Sequence, residues 1–214
     1  MKLKKRTPRQ ARQWLRRREN ARKVVLTDKP CGGCTACCYC VAVEELRKGF
    51  YSPCDFCGVA GCTTYDSRPP SCAAYFCLYS IGLVAQRPDE CGLLLSLEFR
   101  GVPVLTAYEV RPDAMKESFP LAVEAADFLS RTDVRCRRLE LFRFGADIPT
   151  AWEGQHYRMK FIPIDCPNGA FQVSFGVRAE HEDEDWEWWK QVMKASVGVA
   201  PASLQVGMSI GVGY

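Results

Sequence analysis

Cysteine is the residue that most constrains this chain, because eleven of its thirteen cysteines lie between Cys31 and Cys91. They form two groups about twenty residues apart: the first is Cys-Gly-Gly-Cys-Thr-Ala-Cys-Cys from residue 31, and the second begins with Cys-Asp-Phe-Cys at residue 54. Cysteines this close let neighbouring thiolates reach one ion, whereas disulfide frameworks pair cysteines across distant loops. The pattern predicts a loop-rich segment folded around metal.

Histidine contributes nothing to the predicted site, since the only two, His156 and His181, lie far from the cysteines in the sequence. The site is therefore all-thiolate, and soft thiolates suit zinc or an iron–sulfur cluster better than magnesium, calcium or manganese. Zinc would be structural, whereas a cluster would bring redox chemistry; the spacing leaves both open. Of the adjacent Cys37 and Cys38, one joins the centre that Cys34 binds, and the other joins a second centre or remains free.

The chain has 214 residues and is 47% hydrophobic, enough for one good core or two small ones without the help of a metal. No apolar run approaches the length of a membrane-spanning helix, and no apolar signal-peptide core follows the basic start. We therefore expect a cytoplasmic protein. In that compartment thiols stay reduced, which favours metal ligation over disulfides.

Positive charge is concentrated at the start of the chain. Residues 1–30 have a balance of +10, whereas the remainder has a balance of −6. A partly helical basic arm of this kind binds nucleic acid, an acidic protein partner or an anionic surface, or it is a solvated tail.

The sequence after the cysteines has the periodic patterns of helices and strands, so we expect the whole chain to be α+β. Two helices are predicted, over residues 118–131 with Ser118 as the cap and Pro120 in the first turn, and over residues 181–195 with a packing stripe of Trp186, Trp189 and Met193. The remaining periodic stretches predict a small antiparallel sheet: residues 92–99, 104–110, 134–144 and a hairpin centred on Asn168-Gly169.

Four regions follow from these patterns. We predict a basic arm at residues 1–30, a cysteine-cluster metal-binding domain at 31–90, a small α+β domain at 91–195 and an uncharged tail at 196–214, which is a mobile tail or an added strand. Within the cysteine domain, short helices are expected at 43–48 and 71–79. Cys136 and Cys166 are expected to be structural thiols.

The cysteine pattern resembles that of the YkgJ family of bacterial cysteine-cluster proteins, described as zinc- or iron-chelating domains. The resemblance covers about residues 31 to 80 and includes Tyr65-x2-Arg68-Pro69 between two cysteines. It implies eight metal ligands, to which we add Cys54; Cys40 and Cys91 are left out. The predicted ligands are Cys31, Cys34, Cys37, Cys38, Cys54, Cys57, Cys62, Cys72 and Cys77.

Arg68 and Tyr65 are predicted to support the bound centre without ligating it. A centre held by several thiolates is net anionic, so guanidinium and phenol donors beside it reduce that charge and hold the ligand sulfurs in place. Pro69 would stiffen the turn that leads to Cys72.

The predicted function is binding of a metal centre, an iron–sulfur cluster or zinc, through clustered cysteine thiolates, in a redox or modification accessory protein. Related clusters in flagellin lysine methylases keep an enzymatic role open by analogy. The alternatives are a zinc-stabilised binding module whose basic arm contacts nucleic acid or a protein partner, and a metal store or carrier. Nothing in the sequence predicts catalytic residues.

Overall fold

The computed structural model describes residues 29–73, 75, 77–99, 102–132, 134–145, 157–164 and 171–196. Over these residues the chain is α+β, which confirms the predicted fold class. The predictions for the basic arm, for Cys166 and for the uncharged tail lie outside the described residues. Within the described residues, no helix has both the length and the apolar character needed to cross a membrane.

The described residues contain five α-helices, seven β-strands and three short 3-10 turns. The helices are α1 (Ala36–Cys40), α2 (Pro70–Ala73), α3 (Pro88–Cys91), α4 (Ala114–Arg131) and α5 (Glu182–Ser196). The strands are β1 (Cys57–Gly58), β2 (Gly61–Cys62), β3 (Leu93–Phe99), β4 (Pro103–Glu109), β5 (Arg138–Phe142), β6 (Tyr157–Ile164) and β7 (Phe171–Arg178). The 3-10 turns cover Glu44–Leu46, Tyr65–Ser67 and Ala179–His181.

The main sheet has five strands in the order β3-β4-β5-β7-β6, and it is mixed. The hairpins β3–β4 and β6–β7 are antiparallel, whereas β4–β5 and β5–β7 are parallel. The prediction of a wholly antiparallel sheet was therefore wrong. Parallel neighbours need a connection of about a dozen residues or more, and the 18 residues of α4 provide one between β4 and β5.

Helix α4 begins four residues before the predicted cap, Ser118. The buried carboxylate of Glu109 accepts the backbone N–H of Met115 at 2.8 Å and so satisfies a donor in the first turn. Ser118 instead donates to the carbonyl oxygen of Cys91 at 2.6 Å, and Pro120 lies inside the helix. The capping partner comes from the preceding strand, which local sequence patterns do not reveal.

Three other predicted elements are shorter in the structure. The helix expected at 43–48 is the 3-10 turn Glu44–Leu46, which is ended by Arg47, whose φ of 53° is left-handed. The helix expected at 71–79 is reduced to the four residues of α2. The strand expected at 134–144 begins only at Arg138, because Arg135 has a left-handed φ of 49° that interrupts the extended backbone.

The two faces of the sheet carry different layers. Helices α4 and α5 cover one face, where alternate strand residues such as Leu105, Leu139 and Phe175 form the main core. The predicted packing role of the α5 stripe is confirmed, since Trp189 and Met193 are 1% and 8% exposed. Leu94 and Tyr108 point to the opposite face and pack with the cysteine segment.

The cysteine segment is attached to the β3 edge of the sheet. Cys77 forms an antiparallel bridge with Ser96, and the N–H of Leu78 donates to the carbonyl oxygen of Leu95 at 2.8 Å. Stacked aromatic rings continue this contact, with Phe50 against Tyr108 at a centroid distance of 6.0 Å. The cysteine segment therefore packs against the five-stranded sheet.

Candidate metal site

Two tight turns of the form Cys-x-x-Cys present the first cysteines of each group. The N–H of Cys34 donates to the carbonyl oxygen of Cys31 at 3.1 Å, and the N–H of Cys57 donates to that of Cys54 at 2.9 Å. Gly32 has a left-handed φ of 57°, which a residue with a side chain adopts at a cost. The same local geometry is thus built twice, once in each cysteine group.

The two cysteine groups come together because the β1–β2 hairpin packs closely on the first turn. A side-chain Cβ at Gly61 would lie 3.0 Å from the carbonyl oxygen of Gly32. Within the hairpin, Cys57 is paired with Cys62. Thr35, just before α1, hydrogen-bonds to the Cys57 side chain. Only a small residue at position 61 permits this approach.

Seven thiols from five places in the chain lie near enough to influence one another's ionisation, and we call them the thiol cluster. They come from the first turn, α1, the second turn, α2 and the bridge at the sheet edge. All are free thiols. The thiol cluster consists of Cys31, Cys37, Cys38, Cys54, Cys57, Cys72 and Cys77.

The thiols of the cluster differ in how readily they ionise. Burial raises the pKa of Cys31 and of Cys72, and repulsion from neighbouring thiolates raises both further. The pKa of Cys37 is raised by its hydrogen bond with Cys38 and by burial. The pKa of Cys38 is lowered, chiefly because it accepts that hydrogen bond. Cys38 is therefore the thiol that ionises most readily of the four.

Lys48 places a buried positive charge beside the thiol cluster. It is only 8% exposed, and its Nζ donates to the carbonyl oxygens of Tyr39, Val41 and Gly49 at 3.0, 2.6 and 3.0 Å. Its charge also lowers the pKa of Cys38. The ammonium is thus held by three backbone acceptors and acts on the thiols through space.

Arg68 and Tyr65, the two predicted supporting residues, lie close to each other and near Cys31. The Nε of Arg68 donates to the carbonyl oxygen of Tyr65 at 2.8 Å, and its guanidinium carbon lies 3.7 Å from the centre of the Tyr65 ring. The charge of Arg68 lowers the pKa of Cys31 and Cys38, and the Tyr65 side chain hydrogen-bonds to Cys31. From these positions Arg68 can offset the negative charge of the thiolates and Tyr65 can orient the sulfur of Cys31, as their predicted supporting role requires.

Two of the nine predicted ligands have other neighbours. Cys34 lies against Asp89 of α3, and burial raises its pKa to about 11. The sulfur of Cys62 lies 3.7 Å from the hydroxyl oxygen of Thr64.

Three described cysteines outside the predicted ligand set, Cys40, Cys91 and Cys136, are buried. Burial raises the pKa of Cys40 to about 12. Cys91 donates to the carbonyl oxygen of Leu93 at 3.4 Å, and Cys136 contacts two backbone carbonyl oxygens in the main core. Cys136 therefore occupies the position expected of a structural thiol.

Within the described part of the chain, no three Cys, His, Asp or Glu side chains are already arranged to hold one metal ion. The neighbouring Cys37 and Cys57 instead stabilise the thiolate of Cys38, which lowers its pKa. A bound metal requires deprotonated thiolates, so the thiols would have to lose their protons and the side chains would have to turn on binding. Thiolate sulfur is a ligand type that soft metal ions prefer.

In comparisons with known proteins, no family model, no curated protein and no solved structure matches this chain.

Sequence patterns did not identify three residues of the site. Lys48 was assigned only to a short helix, and Thr35 was not singled out. Tyr75 was not singled out either, yet its half-buried side chain lies near Cys37 and Cys77. Each acts through contacts with residues distant in the chain or with backbone carbonyls, and such contacts leave no periodic pattern.

Proposed function

We propose that the cysteine segment binds a metal centre, zinc or an iron–sulfur cluster, through the thiolates of the thiol cluster. The observation that best supports this is the convergence of seven free thiols from five places in the chain, beside Lys48 and Arg68. Ionised together, so many thiolates would repel one another strongly. A soft metal centre removes that repulsion and uses the whole donor set.

The chain's own residues have distinct parts in this proposal. The thiolates hold the centre, and their protons are released on binding. Lys48 and Arg68 reduce the negative charge around the sulfurs, while Tyr65 and Thr35 supply hydrogen bonds that fix the orientation of Cys31 and Cys57. Zinc would hold the segment in one fold, whereas an iron–sulfur cluster would also supply electron transfer.

The test is metal analysis of the full chain purified without oxygen. Brown protein with iron and acid-labile sulfide supports an iron–sulfur cluster, and colourless protein with firmly retained zinc supports a zinc site. Protein without zinc or iron, which also fails to take up either after reduction, would contradict metal binding.

A double variant tests whether the thiol cluster is the site. Cys31→Ser/Cys72→Ser should lose its metal and become sensitive to protease between residues 31 and 80, because metal binding of this kind is worth about 10–16 kcal/mol and is coupled to folding. Cys136→Ser is the matched control, since it removes a buried thiol outside the cluster and should keep the metal. Full metal retention in the double variant would place the site elsewhere.

A further inference from the structure

The β1–β2 hairpin places two thiols directly opposite each other, since Cys57 is paired with Cys62. The N–H of Thr63 donates to the carbonyl oxygen of Phe56 at 2.9 Å, which is a ladder bond on one side of this pair. The N–H of Cys57 itself donates to the carbonyl oxygen of Cys54 at 2.9 Å and takes no part in the ladder. Cys57 and Cys62 therefore form a non-hydrogen-bonded pair, the closer of the two kinds of antiparallel pair.

A disulfide fits this kind of pair. The Cα atoms of such pairs lie about 4.5 Å apart, within the range of about 4.4–6.8 Å that disulfides span, and both side chains leave the same face of the hairpin. In the structure, the Cys57 side chain hydrogen-bonds to Thr35, and the sulfur of Cys62 lies 3.7 Å from the hydroxyl oxygen of Thr64. Joining the two sulfurs thus requires rotation of two side chains, while the backbone pairing stays as it is.

Cys57 is also open to solvent. Among the described cysteines it alone is exposed, and the adjacent Phe56 and the turn residue Val59 are 38% and 106% exposed. Cys62 is half-buried. An incoming molecule therefore reaches the sulfur of Cys57 first, and Cys62 lies opposite to complete a reaction that begins there.

We infer that Cys57 and Cys62 form a thiol–disulfide exchange site whose substrates are disulfides, such as glutathione disulfide. The Cys57 thiolate attacks one sulfur of the substrate, which gives a mixed disulfide and releases the first thiolate. Cys62 then loses its proton and attacks the sulfur of Cys57, which forms the Cys57–Cys62 bond and releases the second thiolate. The substrate is reduced to two thiols, and the hairpin is oxidised by two electrons.

The exchange site also regulates the candidate metal site, and this part of the inference rests on the proposed function. Metal ligands must be thiolates, so a disulfide at the hairpin withdraws two of the nine predicted ligands. The hairpin packs on the first Cys-x-x-Cys turn through Gly61 and Gly32, which brings the exchange site beside the other cysteine group. Metal and disulfide therefore exclude each other at Cys57.

The experiment maps the disulfide in the metal-free, reduced full chain. The chain is equilibrated without oxygen in mixtures of reduced and oxidised glutathione, and its remaining thiols are then alkylated. Cleavage before Asp55 and Asp66 with the protease Asp-N releases residues 55–65, whose only cysteines are Cys57 and Cys62. In oxidising mixtures, mass spectrometry should find this fragment unalkylated and two hydrogens lighter, and excess dithiothreitol should reverse the change.

Two variants test the order of the steps. Cys62→Ser should stop at the mixed disulfide, so that fragment 55–65 carries one glutathione, whereas Cys57→Ser should carry none. Cys136→Ser, which removes a buried thiol of the main core, is the control and should form the hairpin disulfide like the parent chain. Circular dichroism of each variant checks that the sheet remains folded.

Other products would overturn the exchange site. If fragment 55–65 stayed fully alkylated, or if Cys57 were instead joined to the fragment that carries Cys54, the pairing read from the ladder would be wrong. Both results come from the parent chain and do not depend on the folding of a variant.

A second titration, with Zn²⁺ present, tests the regulation. With free Zn²⁺ at about ten times its dissociation constant, the hairpin disulfide should need about 10-fold more oxidant, because the metal binds only the reduced chain. Oxidation that proceeds equally well in bound zinc would overturn the regulation and leave the exchange site in place. Absence of any zinc uptake by the reduced chain would contradict the proposed function, and with it the regulation, while the mapped disulfide would still decide the exchange site.

Discussion

Arg68 and Lys48 show two ways of holding a cation beside sulfur. Arg68 is half-buried and is positioned by the ring and carbonyl of Tyr65, whereas Lys48 is nearly inaccessible and is held by backbone carbonyls alone. Removal of Lys48 would leave three half-buried carbonyl oxygens without this donor, so it would disturb the fold as well as the site. Arg68 is therefore the better residue for testing charge compensation.

We expect Arg68→Ala to leave the metal bound but to weaken its retention by about 10- to 100-fold, as losing a supporting partner of metal ligands usually does. Competition with a chelator measures this. Arg131→Ala on α4, whose ion pair with Asp127 is outside the cysteine segment, is the control and should retain metal like the parent. If both variants retained metal equally well, Arg68 would have no supporting role at the metal site.

The cysteines of the candidate site could be predicted from the sequence because their characteristic spacing is local. Cys-x-x-Cys turns form within four residues, and the structure contains both of them. The different neighbours and pKa shifts of the individual thiols could not be predicted from the sequence. Cys38 and Cys57 are 19 residues apart in the chain, and the effect of Cys57 on the Cys38 pKa arises only in the folded structure, where Gly61 approaches Gly32.

Gly92, between α3 and β3, is the residue at which several helices and strands come close together. Gly92 has a φ of 75°, and a side-chain Cβ there would lie 2.4 Å from the Cβ of Ala114, the first residue of α4. Its carbonyl oxygen also accepts the N–H of Val110 at 2.8 Å. The end of α3, the start of α4 and the ends of the β3–β4 hairpin therefore converge on this residue.

Gly92→Ala should lower the free energy of unfolding by about 3 kcal/mol, because it adds a steric clash to the cost of a left-handed conformation. Gly145→Ala is the matched control: its φ is 64°, but an added Cβ has no atom within 4 Å, so it should cost only about 1 kcal/mol. Urea unfolding of both variants measures the difference. Equal losses would show that the clash with Ala114 is relieved by movement of α4.

Asp185, in the first turn of α5, forms hydrogen bonds and an ion pair with Arg178 at the end of β7. Its side chain is 7% exposed and accepts hydrogen bonds from the backbone N–H and the guanidinium of Arg178, with Arg143 nearby. Burial opposes ionisation, but the hydrogen bonds and charge of Arg178 together with Arg143 outweigh it and lower the pKa of Asp185. Ionised Asp185 therefore stabilises the folded chain at neutral pH.

Asp185→Asn should lower the free energy of unfolding by about 2 kcal/mol at pH 7. Because the folded pKa lies below the unfolded one, the contribution of Asp185 is complete above about pH 4 and is lost as the pH falls through the folded value. The difference between parent and variant should therefore shrink in acid, as measured by urea unfolding at several pH values. The exposed Asp183 of the same helical turn is the control, and Asp183→Asn should change stability by less than about 1 kcal/mol.

The elements were predicted better than their arrangement. Strand and helix periodicity located β3, β4, the β6–β7 hairpin and α5 to within a few residues. The parallel pairing of β4 with β5 was missed because it depends on where α4 returns the chain, which is a property of tertiary packing. The start of α4 was missed for a related reason, since its capping carboxylate belongs to β4.

At the scale of the whole molecule, charge is divided along the chain. Residues 1–30 carry +10 and the rest carries −6, so any binding to nucleic acid is expected to come from the arm. Removal of residues 1–30 should abolish it. For the full chain, affinity should fall with salt, each phosphate contact adding about 0.9 to the logarithmic slope. Fluorescence anisotropy with a short duplex measures both, and unchanged affinity after truncation would make the arm a solvated tail.

The bridge between Cys77 and Ser96 has a consequence for synthesis. Chains leave the ribosome N-terminus first, at about 5–20 residues per second, so all seven thiols of the cluster emerge before the sheet edge that Cys77 joins. Leu94 belongs to that edge strand, and Tyr108, which packs with it against the cysteine segment, is made later still. During this interval the nascent cysteines lack the sheet against which they pack in the folded chain, so any oxidation of their thiols would compete with folding.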